Sequence, residues 1–364
     1  KRRITYRCPY EDCGKSGMPI HTCKEFGHQY PDLQPSFYGI FYHTCRHPKG
    51  DEKLPTMDFL GRNKLPRLCN TCHRPLIFSS IGELSEKPIA VVGGSSSGKT
   101  IFLAQAVRLL QQQINAWPGS VVHIDNRDQE QALNQNLARL DQGSVVPKTA
   151  GGMEAIGLAV KIQKKMRSLL YLYDAPGEQF ATMARFGQKQ VIQHLAGIIL
   201  IVDPFSLPAL SEYYANLGGQ ANVSETPFKD IAAVLISGVN QMLVRRPTDP
   251  CNIPMAVVIT KADALPKEDY AFLENLVSMD YEISTDGRNN RCRQALEKLG
   301  EGGTLRALEQ KFPNIQYFAC SAMGRNPDSR NTSPFKPSGV LSPFIWMLKL
   351  NELDPTKTRK KQRA

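Results

Sequence analysis

The segment Lys87-Pro-Ile-Ala-Val-Val-Gly-Gly-Ser-Ser-Ser-Gly-Lys-Thr100 joins a short apolar run to a loop rich in glycine and serine. The run predicts a buried strand, and the periodic residues 100–113 after the loop predict a helix. The loop fits the pattern G-x-x-x-x-G-K-[ST], whose glycines let the backbone curl so that its N–H groups face phosphate. The helix adds its positive N-terminal end. We therefore predict a phosphate-binding loop formed by Gly93, Gly94, Ser95, Ser96, Ser97, Gly98, Lys99 and Thr100.

Further strand and helix patterns alternate along the rest of the chain. Buried-strand patterns occupy residues 169–173, 198–202, 255–259 and 315–320, and helical patterns include residues 125–140 and 343–350. Such alternation predicts an α/β fold, a mostly parallel sheet with helices on both faces. Residues 156–162 fit an antiparallel edge strand beside residues 169–173. Residues 206–246 exceed the length of a simple crossover, which indicates an insertion.

Three polar motifs follow predicted strands, where open α/β sheets bind ligands. In Asp174-Ala175-Pro176-Gly177, the carboxylate can hold Mg²⁺ through water and the Gly177 amide can sense a γ-phosphate. In Thr260-Lys261-Ala262-Asp263, the carboxylate can accept both N–H groups of guanine, whereas adenine would present an acceptor to it. In Ser321-Ala322, a backbone amide can meet the guanine O6. With Lys99 on the β- and γ-phosphates and Thr100 on Mg²⁺, these motifs predict a site for a guanine nucleotide.

The chain resembles the translation-factor-related GTPases, which include Ras-like and Era-like proteins, over about residues 87–350. The motifs that carry the resemblance are GGSSSGKT, DAPG, TKAD and CSA. The cysteine-rich front and the polar helix before Pro147-Lys148-Thr149 are similar to the bacterial double-GTPase families of conflict systems. The resemblance implies GTP and GDP as ligands, Mg²⁺ as cofactor, and a switch threonine that binds Mg²⁺ and the γ-phosphate. Thr149 is our candidate, because it precedes the expected edge strand.

The water-orienting residue departs from the Ras-type pattern, in which Gln follows the DxxG glycine directly. Here Glu178 holds that position and Gln179 comes next. Either side chain can orient water, or a partner can supply the missing group, as arginine fingers do. We therefore expect slow intrinsic turnover.

Six of the nine cysteines and five of the seven histidines lie in the first 73 residues. Cys8 with Cys13 and Cys69 with Cys72 resemble the two knuckles of a zinc ribbon, which together make a structural tetrahedral site. A possible second zinc site draws on Cys23, His28, Cys45 and either His43 or His47. It is nested inside the first site or interleaved with it. We interpret the remaining cysteines, Cys251, Cys292 and Cys320, as ordinary buried or surface thiols.

The whole chain has 364 residues and a net charge of +11, much of it near the two termini. We expect a zinc-binding module over residues 1–84, a GTPase domain over 85–350 and a basic, disordered tail over 351–364. Charged ends are usually solvated, although nucleic acid or an anionic surface is an alternative partner. No apolar run approaches the ~20 residues of a membrane helix and no signal peptide is evident, which predicts a cytoplasmic protein.

Two main functional hypotheses follow. The first is a regulatory GTPase whose zinc module docks an unidentified protein partner, plausibly in a bacterial conflict or defence system. The second is a binding or adaptor protein that holds GTP as a structural cofactor. A nucleic-acid adaptor is a third possibility, because zinc ribbons often serve that purpose. A small-molecule kinase is disfavoured, since the guanine-reading motif argues against ATP as donor.

Overall fold

The computed structural model describes residues 84–116, 118–142, 154–162, 166–174, 195–216, 223–242, 246–277, 286–324 and 335–351. It also describes the backbone of short strands within the first 83 residues. The chain separates into two compact units. One comprises residues 1–86 with 189–191, and the other comprises residues 87–188 with 192–364.

The first unit contains only short strands in its described part. They are Tyr6–Arg7, Ser16–Gly17, Ile20–His21, Leu33–Pro35, Tyr42–His47, Gly50–Pro55 and Arg67–Leu68. Each pairs antiparallel with a neighbour, and Leu33–Pro35, Tyr42–His47 and Gly50–Pro55 form a three-stranded sheet. Strands this short bury little apolar surface by themselves.

The second unit contains a seven-stranded sheet, as far as the described ranges show. Its strands are β1 Ser85–Val92, β2 Val121–Ile124, β3 Glu154–Ile162, β4 Met166–Asp174, β5 Gly197–Val202, β6 Met255–Ile259 and β7 Ile315–Ala319. Their order across the sheet is β7-β6-β5-β1-β4-β3-β2. Strands β1, β5, β6 and β7 pair in parallel, whereas β3 is antiparallel to both β4 and β2.

The helices follow from the same sequence patterns. They are α1 Lys99–Asn115, α2 Arg127–Asp141, α3 Pro208–Asn216, α4 Phe228–Met242, α5 Asp286–Leu296, α6 Gly302–Lys311 and α7 Leu341–Leu350. A 3₁₀ turn, Pro204–Ser206, precedes α3, and a π-helical segment, Glu297–Glu301, joins α5 to α6. Helix α2 begins where it does because the Asn126 side chain accepts the backbone N–H groups of Asp128 and Gln129.

The centre of the sheet is buried on both faces. Every residue of β5 and of β6 is buried, which a strand achieves only when both sides of the sheet are covered. On one side, Ile199 and Ile201 pack in a core with Phe102 of α1 and Phe344 of α7. The rings of Phe102 and Phe344 stack with centroids 5.5 Å apart. The prediction of an α/β fold with a mostly parallel sheet is therefore confirmed.

The prediction that residues 156–162 form the edge strand was wrong. Strand β3 is antiparallel to β4 as expected, but β2 pairs with its other side, with Val122 opposite Val160. Strand β2 is only four residues long and alternates exposed and buried side chains, a signal too short to separate from a loop. The Asn115 side chain accepts the Val122 N–H at 2.6 Å and donates to its carbonyl at 3.3 Å. The end of α1 thus bonds to the backbone of β2.

The stretch predicted as an insertion, residues 206–246, begins at the last residue of the 3₁₀ turn and contains α3 and α4. Helix α4 is the crossover between the parallel strands β5 and β6, and α3 is an additional element before it. Residues 223–227, which we call the α3–α4 connection, lead directly into α4.

The predicted tail, residues 351–364, lies outside the described residues apart from its first residue. Among the helices in the described ranges, none combines the length and apolarity needed to cross a membrane.

Candidate nucleotide-binding site

Four parallel strands bring their C-terminal ends to the same edge of the sheet. Strand β1 ends before the predicted phosphate loop, and β5 ends before Asp203. Strand β6 ends before Thr260, and β7 ends two residues before Ser321. Because these strands are adjacent and parallel, the polar residues that follow them form one surface. The structure therefore brings together motifs that lie more than 200 residues apart in sequence.

The phosphate loop curls around the Lys99 side chain. The ammonium group donates to the Gly93 carbonyl at 2.9 Å and to the Gly94 carbonyl at 2.6 Å, and the residue is only 7% exposed. Gly98, at φ +90°, adopts a left-handed conformation that side chains disfavour, and it directly precedes α1. The loop thus places a lysine ammonium group and a helix N-terminus together, which suits a polyphosphate.

The loop is packed on its inner side and open at Gly98. A Cβ atom added to Gly93 would lie 3.0 Å from both the Cβ and the carbonyl oxygen of Ile201, whereas one added to Gly98 would meet nothing within 4 Å. The Ser97 hydroxyl is buried and has no hydrogen-bond partner among the described residues. Open space next to Gly98 and the helix N-terminus fits a bound phosphate chain.

The tip of β6 is bonded directly to the phosphate loop. The Thr260 hydroxyl lies 3.0 Å from the Ser97 carbonyl and 3.1 Å from the Val202 carbonyl. The Lys261 ammonium donates to the Ser96 carbonyl at 3.2 Å. These bonds hold the predicted base-reading motif against the phosphate loop, so one nucleotide can contact both.

Asp263 is oriented by the tip of β7. The Ser321 hydroxyl donates to an Asp263 carboxylate oxygen and accepts the Gly324 N–H at 2.7 Å. Backbone hydrogen bonds in both directions between Ser321 and Ser338, at 2.9 and 2.8 Å, fix Ser321 in turn. Ala322 follows in the same turn and is half-buried. A half-buried carboxylate held in this way is suited to accept two parallel N–H groups.

One residue at this edge was missed by the sequence analysis. Asp203 follows β5, is 2% exposed, and forms an ion pair with Lys261 at 2.6 Å. It also accepts the N–H groups of Phe205 at 3.2 Å and Ser224 at 2.9 Å. The signal was available, because Asp203 is a polar residue directly after a buried strand, as the other site residues are.

The predicted magnesium ligands are only partly described. Thr100 is half-buried in the first turn of α1, and Asp174 is the last residue of β4, with its side chain outside the described residues. A hydroxyl and a carboxylate are oxygen ligands of the kind that Mg²⁺ prefers. Thr149, Gly177, Glu178 and Gln179 all lie outside the described residues.

The predicted zinc ligands have no described side chains. They are Cys8, Cys13, Cys23, His28, His43, Cys45, His47, Cys69 and Cys72. Within the part of the chain that is described, no group of three or more His, Cys, Asp or Glu side chains could hold a metal ion. Cys251, Cys292 and Cys320 are buried, and burial raises the pKa of Cys292 to about 12.

The comparison with protein families agrees with this site. The family model "Double-GTPase 2" matches residues 87–324, about two thirds of the chain. Among solved structures, the chain is similar to the Arl6 BBS3 small GTPase from Trypanosoma brucei, which was solved with the bound nucleotide analogue GppNp. The identity is 13% and the TM-score 0.33, over 74% of this chain and 99% of that one. No curated protein matches. The chain therefore belongs to the Double-GTPase 2 family and is a P-loop GTPase of the double-GTPase type.

Proposed function

We propose that this chain is a Mg²⁺-dependent molecular switch that hydrolyses GTP to GDP and phosphate. The observation that carries the proposal is the direct bonding of the phosphate loop to the tip of β6, through Thr260 and Lys261. That bonding holds Lys99 and Asp263 on one edge of the sheet, as a single nucleotide would require. The family match supports the same reading.

Each group at this edge has a role in the proposal. Lys99 and the loop amides, from Gly93 to Thr100, bind the β- and γ-phosphates. Asp263 accepts the guanine N1–H and amino group, Lys261 lies along the base, and the amides near Ser321 and Ala322 meet O6. Thr100, Asp174 and, in the GTP state, Thr149 hold Mg²⁺. When bound, this ion neutralises charge on the phosphates.

In the hydrolytic step, water attacks the γ-phosphorus and the bond to the β–γ bridging oxygen breaks, leaving GDP and phosphate. Glu178 or Gln179 orients that water, and the Gly177 amide contacts the γ-phosphate. Loss of the γ-phosphate then releases the segments around Thr149 and Gly177. The chain thereby changes its affinity for a partner.

The second part of the proposal concerns the N-terminal residues 1–84. Residues 1–84 bind zinc as a structural ion and dock the partner protein. The resemblance to double-GTPase families of conflict systems supports a role in bacterial defence.

One alternative has a specific observation behind it. Glu178 stands where Ras-type relatives have Gln, which favours an alternative in which the chain holds GTP as a structural cofactor and acts as an adaptor. The basic ends make nucleic acid the candidate contact of such an adaptor.

A single-turnover assay separates the switch from the adaptor. With protein in excess over γ-labelled GTP, we expect slow phosphate release that requires Mg²⁺ and is absent with ATP. Chelating Mg²⁺ in a parallel sample is the control. Recovery of intact GTP for as long as the protein stays folded, with Mg²⁺ present, would support the adaptor and contradict the switch.

Zinc removal gives an independent prediction. A zinc-selective chelator should make residues 1–80 sensitive to protease, because a small module without a large core unfolds when its metal is lost. Guanine-nucleotide binding should persist, since its residues lie in the other unit. Elemental analysis of the untreated protein should find one or two zinc ions per chain. Unchanged protease resistance, or no zinc, would remove this part of the proposal.

A further inference from the structure

The α3–α4 connection, residues 223–227, packs directly on the phosphate loop. A Cβ atom added to Gly94 would overlap the Ser224 hydroxyl oxygen. It would also lie 3.1 Å from the Ser224 Cβ and 3.3 Å from the Thr226 carbonyl oxygen. All three nearest atoms therefore come from this connection, and Ser224 occupies the space that a side chain at position 94 would need.

The sequence motif does not account for a glycine at position 94. In G-x-x-x-x-G-K-[ST], the residue after the first glycine is unrestricted. Gly94 has no left-handed backbone angle that would demand glycine, unlike Gly98. The close approach of Ser224 is thus the physical reason for glycine at this position.

The connection is held in place by Asp203. One carboxylate oxygen, Oδ2, accepts the Ser224 N–H at 2.9 Å and the Lys261 ammonium at 2.6 Å. The Lys261 ammonium group also donates to the Ser96 carbonyl at 3.2 Å. The buried carboxylate therefore joins the connection, the tip of β6 and the phosphate loop in one hydrogen-bonded cluster.

The Ser224 side chain is itself oriented. Its hydroxyl donates to the Thr226 carbonyl at 3.1 Å, and the residue is 7% exposed. A side chain that is fixed in this way restrains the loop it packs against more than a mobile side chain would. Ser224 thus packs against the loop at Gly94, and Ile201 packs against it at Gly93, 3.0 Å from an added Cβ.

We propose that Asp203 and Ser224 are positioning residues of the nucleotide site. Asp203 aligns Lys261 and the α3–α4 connection, and Ser224 braces the phosphate loop through its contact with Gly94. The inference rests on the proposed binding of GTP. It adds the α3–α4 connection, which lies between two helices and carries no nucleotide motif, to the elements that determine nucleotide affinity.

A suppressor experiment tests the contact. Gly94→Ala should weaken binding of a fluorescent GDP analogue by ~10-fold or more, because the new methyl group displaces Ser224 or the loop. Ser224→Gly should weaken it less. The double variant Gly94→Ala with Ser224→Gly should bind more tightly than Gly94→Ala alone, because removing the hydroxymethyl group makes room for the new methyl group. Dissociation rates measured in parallel should follow the same order.

A matched control lies at the other end of β5. A Cβ added to Gly197 would meet the Met347 sulfur at 2.6 Å, a milder overlap that lies far from the nucleotide edge. Gly197→Ala should lower the melting temperature without changing the nucleotide dissociation rate. If Gly94→Ala behaves like Gly197→Ala, or if Ser224→Gly fails to improve its binding, the Ser224 contact has no positioning role.

Asp203→Asn tests the cluster without relying on the glycine variant. It should release the fluorescent GDP analogue ~10-fold faster, since Lys261 loses its buried counter-ion. The control Asp141→Asn removes a pair of similar length, with Arg108 at 2.7 Å, between α1 and α2. An Asp203→Asn variant with wild-type dissociation would overturn the inference. If the wild-type protein binds no GTP at all, the proposed function is contradicted instead. Failure of the inference and failure of the proposed function are therefore distinguishable.

Discussion

Replacing Asp263 by Asn is expected to weaken GTP binding by about 2 kcal/mol or more, close to 30-fold. A carboxylate can accept both the N1–H and the amino group of guanine. The Asn amide accepts only one of them and points its own NH₂ group at the guanine amino group. The Ser321 hydroxyl can still donate to the remaining oxygen, so the side chain keeps its orientation. Titration with a fluorescent GTP analogue measures the loss.

The same substitution should improve binding of xanthosine triphosphate. Xanthine carries a carbonyl where guanine has its amino group, and the Asn NH₂ can donate to it. Asp269→Asn, at an exposed position six residues later, is the control and should leave both affinities unchanged. Normal GTP binding by Asp263→Asn would show that Asp263 does not read the base.

Replacing Lys99 by Ala should reduce nucleotide affinity by more than ~100-fold and abolish hydrolysis. The β- and γ-phosphates would lose the positive charge of a buried ammonium group. The ammonium also bonds to the Gly93 and Gly94 carbonyls, so some thermal stability should be lost as well. Isothermal titration with GDP and GTP, beside a melting curve, separates the two effects.

Lys311 offers a closely matched control for that variant. It is also buried, and its ammonium group donates to two carbonyls, Pro247 at 3.0 Å and Asp249 at 2.7 Å. Lys311→Ala should therefore lower stability by a comparable mechanism while nucleotide affinity stays at the wild-type value. Equal losses of affinity in the two variants would mean that Lys99 acts through folding alone.

The sequence predicted the framework of this site because its signals are local. The apolar run before Gly93, the periodic residues after Thr100 and the buried pattern of 255–259 each depend on short windows of sequence. Those windows correspond to β1, α1 and β6 with small shifts in their ends. The α/β class and the family were predicted correctly for the same reason.

The errors and omissions concern features that depend on distant contacts. Strand β2 has only four residues, and it becomes a strand because β3 pairs with it and Asn115 bonds to Val122. Asp203 has the local signal of a polar residue directly after a buried strand, but its role depends on Lys261 and Ser224, 58 and 21 residues later, which both donate to its carboxylate. Neither relation has a fixed spacing that a pattern could detect.

The sequence alone determined the fold class, the position of the phosphate loop and the identities of the side chains that follow the strands. These depend on hydrophobic periodicity and on glycine conformation, which are properties of neighbouring residues. Only the tertiary structure decided which strand lies at the edge, which carboxylate pairs with Lys261 and why residue 94 is glycine. Those outcomes depend on parallel strands bringing remote residues together and on the volume of a serine side chain, Ser224, that packs across from another part of the chain.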